Sequence, residues 1–112
     1  MKRIEAIFRP DRLPVVKQAL EDTGHAGITV VDVRGHGIQK GILQQWRGQE
    51  YAIDLLPKTM IIVVVQDEAA EETMQAIAAA AQTGAIGDGK IFVTDVGEVM
   101  RIRTGERGPT AV

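Results

Sequence analysis

The order of the apolar segments constrains this chain more than any other feature. Residues 3–8, RIEAIF, alternate in polarity as a half-buried strand does. Residues 10–24, PDRLPVVKQALEDTG, carry Leu13, Val16 and Leu20 at helical spacing. Pro14 suits a first turn there, and Gly24 a left-handed cap. GITVVDVRG, 27–35, is a β-branched run that predicts a second strand. The pattern then repeats. KTMIIVVVQ, 58–66, is continuously apolar, as a buried strand is. DEAAEETMQAIAAAAQTG, 67–84, predicts a helix capped by Asp67 and stopped by Gly84, with Met74, Ile77, Ala78 and Ala81 as its apolar stripe. KIFVTDV, 90–96, predicts a fourth strand. Two β-α-β units in tandem, β-α-β-β-α-β, predict the α+β ferredoxin-like plan: a four-stranded antiparallel sheet under two helices. With 112 residues, the whole chain, 1–112, reads as one domain.

One segment exceeds that minimal plan. His36 to Leu55, between strands 2 and 3, form a long loop with weak periodicity and glycines at 37, 41 and 48. Loops of this length in compact domains are functional or disordered more often than not. Nine of the 12 glycines fall in three places: this loop with Gly35, the stretch 84–89, and the tail at 105 and 108. Three glycine-rich connections on a small scaffold suggest a site assembled from loops.

Composition narrows the partners. A net charge of -2 gives no reason to expect nucleic acid or an anionic membrane. With no cysteine, disulfides and thiolate metal sites are excluded, which suits a cytoplasmic location. MKRIEAIFRP has charges among its apolar residues and no signal-like core, and the longest apolar run, Met60 to Val65, is too short to span a bilayer.

The most pointed local motif is GAIGDGKIF, 84–92. Gly84, Gly89 and Lys90 fit G-x-x-x-x-G-K, but Ile91 stands where a Walker loop has Ser or Thr. The order is also reversed, with a helix before the loop and a strand after it, so no helix N-terminus faces a phosphate. Two readings stand: a backbone anion nest with Lys90 as a point charge, or an αβ connection that needs glycine for its turns. In RIRTGERG, 101–108, Arg101 and Arg103 project to one side if the chain is extended. Such a pair either brackets an anion or forms a basic edge that deters strand pairing. No catalytic constellation is present. His25 and His36 have no triad partners, His25 suits a helix C-terminus, and Glu68, Glu71 and Glu72 suit a helix start.

Five blocks in order, RGHGIQKG (34–41), WRGQEY (46–51), LLPK (55–58), TGAIGDGKIFV (83–93) and RIRTGE (101–106), resemble the PII signal-transduction family, trimeric nitrogen and carbon sensors. The resemblance runs from RIEAIFRP to RIRTGERG. It implies a T-loop at about 36–55, a B-loop at about 82–90 and a C-loop at about 101–108. It implies ATP or ADP bound between subunits of a homotrimer, and a protein that is not an enzyme. Gly37, Gln39, Gly87, Asp88, Gly89 and Lys90 are then expected to line one wall, and Ile7, Thr29 and Val64 the adenine pocket. Arg101 and Arg103 of the next subunit are expected to close on the phosphates. Gln39 and Lys58 match positions that hold 2-oxoglutarate with magnesium-ATP, Gln39 being the magnesium-side residue and Lys58 facing a carboxylate. Tyr51 matches the uridylylation position.

The sequence also departs from the family pattern. Ile38 replaces the usual phosphate-contacting Arg, Ile62 the usual Glu beside adenine, and Gln82 and Ala85 basic residues around the B-loop. The T-loop tip reads ILQQW, 42–46, where Ile42, Leu43 and Trp46 are expected to contact a partner protein, since apolar residues on a loop need burial. The leading expectation is a sensor of ATP/ADP, and of 2-oxoglutarate, that regulates an ammonium channel, another transporter or a nitrogen-metabolism enzyme. The alternative is a divergent PII-like module that binds ADP, AMP or another small anion, ignores 2-oxoglutarate, and serves a transporter or metabolic cluster outside core nitrogen control.

Overall fold

The computed structural model describes residues 1–25, 27–36, 42–46, 49–53 and 55–112, with 42–46 and 49–53 described by backbone alone. The chain order is β1 (Lys2–Phe8), α1 (Leu13–Asp22), β2 (Thr29–Gly35), β3 (Ile42–Trp46), β4 (Gln49–Ile53), β5 (Leu56–Val65), α2 (Ala70–Ala81) and β6 (Lys90–Asp95). Strands β2, β5, β1 and β6 lie side by side in that order, every neighbour antiparallel, so the expected ferredoxin-like sheet is present. Between β2 and β5, β3 and β4 form a separate two-stranded ladder, with Ile42 opposite Ile53 and Trp46 opposite Gln49. The sequence reading had only a long loop there. Short β-tending runs such as ILQQW and QEYAI give a weak signal when no core flanks them.

Alternation sorts the sheet into two faces. Ile4, Ala6 and Phe8 of β1, and Ile61, Val63 and Val65 of β5, are buried beneath the helices. They pack with Val16 and Leu20 of α1 and Ile77, Ala80 and Ala81 of α2. The opposite face mixes apolar and charged residues and is uncovered within one chain: Phe92 remains 48% exposed there, in register with Glu5, which in turn pairs with Ile62.

Both helix ends have local causes. A short 3-10 turn at Pro10–Arg12 leads into α1, and Pro14 sits in its first turn, where a missing N–H costs nothing. Gly24, at φ 89°, ends the helix as expected. The Gly24 N–H donates to Glu21 O (3.0 Å) and the His25 N–H to Leu20 O (2.8 Å), the paired bonds of a Schellman stop. The second helix is shorter than the sequence implied. Asp67 opens a 3-10 turn (Asp67–Ala69) and makes no side-chain cap; its carboxylate instead accepts from the Met1 ammonium at 2.6 Å. The helix ends at Ala81, before Gly84, because Gln82 is already extended. Its buried stripe is Thr73, Ile77, Ala80 and Ala81, one step round from the predicted one, with Ala78 exposed. Thr73 enters the core because its hydroxyl donates to Ala69 O (2.7 Å), satisfying the polar atom within the helix.

Candidate functional site

The uncovered sheet face carries Ile7, Thr29, Lys58, Val64 and Lys90 of the nominated ligand residues. Lys90 pairs with Ile7, Ile7 with Met60, and Met60 with Val31, making one row across four strands. Thr29 and Ile62 occupy the next row, and Val64, opposite Arg3, the row beyond. Lys58 shares the same face of β5, opposite Val33. Ile7, Thr29 and Val64 therefore stand on one surface with Lys58, Ile62 and Lys90, as strand alternation requires. Gly37, Ile38 and Gln39 lie outside the described residues, as do the side chains of Ile42, Leu43, Trp46 and Tyr51.

The loop from Gln82 to Gly89 leaves α2 and returns to the sheet at β6. It cannot borrow a helix N-terminus, since the nearby helix end is the C-terminal, partially negative one. Arg12 meets that end: its Nε (3.0 Å) and one terminal nitrogen (2.7 Å) both donate to Ala80 O. Any anion held here depends on loop amides and on side-chain cations. Gly84, Gly87 and Gly89 have φ of 88°, 102° and 103°. These values turn successive N–H groups in ways L side chains resist. Among the described residues, the N–H groups of Gly87 and Gly89 make no hydrogen bond, while that of Asp88 closes a tight turn over Ile86 and Gly87. Free amides of this kind beside Lys90 are chemically suited to a phosphate oxygen.

Three contacts tie the loop to the sheet. Gly89 passes so close to β1 that a Cβ there would lie 1.7 Å from Ile7 O. Lys58 Nζ donates to Gly87 O at 2.7 Å, linking the loop to β5, the strand that follows the β3–β4 ladder. Arg9 donates through Nε to Asp88 Oδ1 (3.2 Å) and through a terminal nitrogen to Ile86 O (2.6 Å). Partial burial, then the nearby Arg9 charge, lowers the Lys58 pKa, with Asp88 acting in the opposite sense. The Asp88 carboxylate points back into its own loop. Oδ2 accepts from the Thr83 (2.8 Å) and Gly84 (2.9 Å) N–H groups, and the Thr83 hydroxyl donates to Oδ1. That hydroxyl bond first, then the Thr83 and Gly84 amides and Arg9, holds the Asp88 pKa far below the ordinary carboxylate value. An open cleft of about 400 Å³ borders this loop, with Ile7, Ala78, Gln82, Gly89 and Lys90 among its walls.

The tail differs from the extended reading. Residues 102–104 form a turn closed by the Gly105 N–H on Arg101 O (2.8 Å), and Gly105 has φ 72°. Arg101 and Arg103 are therefore not two steps along an extended strand. Arg101 bonds Glu106 Oε2 (2.7 Å), while Arg103 is exposed beside Ile102, which is 98% exposed. The sequence carried the cause: Thr104 and Gly105 are turn residues, and the Thr104 hydroxyl accepts from the Glu106 N–H (3.2 Å). Sequence reasoning passed over Arg9 and Thr83 altogether. Arg9 lies in RIEAIFRP and Thr83 in TGAIGDGKIFV, but neither gained a role there, since the contact from Arg9 to Asp88 spans 79 residues.

A ferredoxin-like sheet with one open face, a glycine-built loop braced against it and a strand ladder carried between β2 and β5 define a small α+β protein organised around its connections. Comparison with known proteins places it. The family model described as Nitrogen regulatory protein P-II matches residues 1–106. Nitrogen regulatory protein P-II 2 of Methanothermobacter thermautotrophicus is 56% identical over 112 residues, covering 100% of this chain and 97% of that relative. The P-II protein of Rhizobium meliloti is 55% identical over 112 residues, covering all of both chains, and that of Azospirillum brasilense 54%. The chain belongs to the P-II family of nitrogen regulatory proteins. No helix among the described residues is long and apolar enough to cross a membrane.

Proposed function

We propose that this protein is a non-enzymatic sensor that binds ATP or ADP on the loop 84–90 and reports the bound state through its T-loop. The observation that carries the reading is the Lys58–Gly87 bond of 2.7 Å, because it joins the glycine loop to the strand leaving the T-loop. A ligand that pulls on the Gly87 peptide or on Lys58 stabilises one arrangement of both segments over another. Such a ligand shifts a population rather than creating a new state, and a coupling of about 1–3 kcal/mol is enough.

In this reading the phosphates lie against the N–H groups of Gly87 and Gly89, near Lys90. The adenine lies on the open sheet face beside Ile7, Thr29 and Val64. A homotrimer covers that face and brings Arg103, with Arg101, from a neighbouring tail toward the phosphates. Gln39 and Lys58 take magnesium-ATP-linked 2-oxoglutarate, and the T-loop, with Ile42, Leu43 and Trp46, docks a cytoplasmic target such as an ammonium channel, another transporter or a nitrogen-metabolism enzyme. Tyr51 is the position for covalent modification.

Calorimetry tests the reading. ATP and ADP should each bind, and 2-oxoglutarate should bind only with magnesium and ATP present. Binding of ADP or AMP with no response to 2-oxoglutarate under any condition favours the divergent module instead. Absence of binding by every adenine nucleotide refutes both.

A further inference from the structure

We propose that the side chains of Arg9, Thr83 and Asp88 are positioning groups that set the shape of the phosphate-binding backbone without themselves touching the nucleotide. This rests on the nucleotide reading above and adds to it the device that preorganises the loop. The Asp88 carboxylate is the hub. It accepts the Thr83 N–H, the Gly84 N–H, the Thr83 hydroxyl and Arg9 Nε, so its lone pairs face the loop and β1. Arg9 also holds Ile86 O at 2.6 Å, and the Thr83 hydroxyl receives the Ala85 N–H at 3.2 Å. Together these bonds fix residues 83–86 on one side of the turn.

The division of donors is what makes the arrangement a device. The N–H groups of Thr83, Gly84 and Ala85 are used internally, by Asp88 and the Thr83 hydroxyl. Those of Gly87 and Gly89 are left without a partner among the described residues, and that of Asp88 closes the turn at 86–87. An anion in a preformed nest is bound more tightly than one that must first order its loop, because the ordering cost is already met. A carboxylate facing a phosphate would also repel it, and here that charge is turned inward against Arg9. With Arg9 25% and Asp88 23% exposed, the pair is more shielded than an ordinary surface bridge.

The test is calorimetry with ADP, without magnesium or 2-oxoglutarate, on the full-length wild type and on Asp88→Asn, Arg9→Gln, Thr83→Val, Thr83→Ser and the Arg9→Gln/Asp88→Asn double variant. Melting temperatures are measured in parallel. The proposal predicts that Asp88→Asn, Arg9→Gln and Thr83→Val each weaken ADP by about tenfold, a change of the size of one charge-assisted bond. Thr83→Ser, which keeps the hydroxyl, should bind nearly as wild type does. The double variant should be no weaker than the worse single, since both changes release the same loop. Wild-type affinity in folded Arg9→Gln and Thr83→Val, or losses that multiply in the double variant, overturns the proposal while leaving nucleotide binding standing. Failure of the wild type itself to bind ADP overturns both, and is seen before any variant is made. If Asp88→Asn does not fold, the Arg9→Gln result and the contrast between valine and serine at 83 decide the matter.

Discussion

The backbone carbonyl of Ile7 occupies the space a side chain at Gly89 would need: a Cβ there would stand 1.7 Å from that oxygen. The glycine is required by packing against β1 before any ligand is considered. Gly89→Ala must displace the loop or the strand, and it also meets φ 103°. Its expected cost is about 2–5 kcal/mol, from overpacking added to left-handed strain. Gly84→Ala, at φ 88° but with nothing within 4 Å, should cost only about 1–2 kcal/mol. Urea unfolding of the two variants checks the ranking; equal costs would contradict it.

The open sheet face leads to the second expectation. Phe92 is 48% exposed on a face that also carries Ile7, Met60, Ile62 and Val64. Large apolar residues left exposed together on one sheet face, here around Glu5 and Arg3, mark an interface. Light scattering should give a trimer, three times the 12.1 kDa chain mass, and Phe92→Glu should shift it toward smaller species. A stable monomeric wild type at micromolar concentration contradicts the assembly and the shared site together.

Acid should remove the stability that Asp88 contributes only below the ordinary carboxylate range. The Asp88 pKa is lowered in the folded chain, chiefly by the Thr83 hydroxyl bond. Its stabilisation is therefore fully present above the unfolded carboxylate value of about 4 and is lost as pH falls toward the folded value. The melting temperature of wild type should drop more steeply below about pH 4 than that of Asp88→Asn, and the two curves should converge in acid. Parallel curves from pH 7 to pH 2 would remove Asp88 from the account.

Lys90 and Arg103 supply the charges expected to meet phosphate. Each of Lys90→Ala and Arg103→Ala should weaken ATP and ADP by roughly tenfold to a hundredfold, about 1.5–3 kcal/mol, with little change in melting temperature because both residues are exposed. Calorimetry on folded variants with unchanged affinity for both nucleotides would sink the assignment.

Much of this was legible in the chain. The strands at 3–8, 58–66 and 90–96, the helix ended by Gly24 and the order of the units follow from periodicity, because burial on one face imposes it. What failed was local chemistry competing with pattern. Asp67 looks like a cap but is taken by the Met1 ammonium, and Thr104–Gly105 close a turn that takes Arg101 and Arg103 out of an extended register. The brace of the glycine loop was invisible for another reason. Arg9 and Asp88 meet only because β1 and β6 are neighbours in the sheet, and no spacing in the sequence encodes a contact across 79 residues.

The central claim is that nucleotide on the glycine loop changes the T-loop, and the protein carries its own reporter. Trp46, the sole tryptophan, ends β3 opposite Gln49 in the β3–β4 ladder. With tryptophan emission and anisotropy followed during titration with ATP, then ADP, with and without magnesium and 2-oxoglutarate, the account predicts distinct responses to the two nucleotides. Binding of both by calorimetry with no change in either optical signal would contradict it, and would leave the T-loop a fixed docking surface.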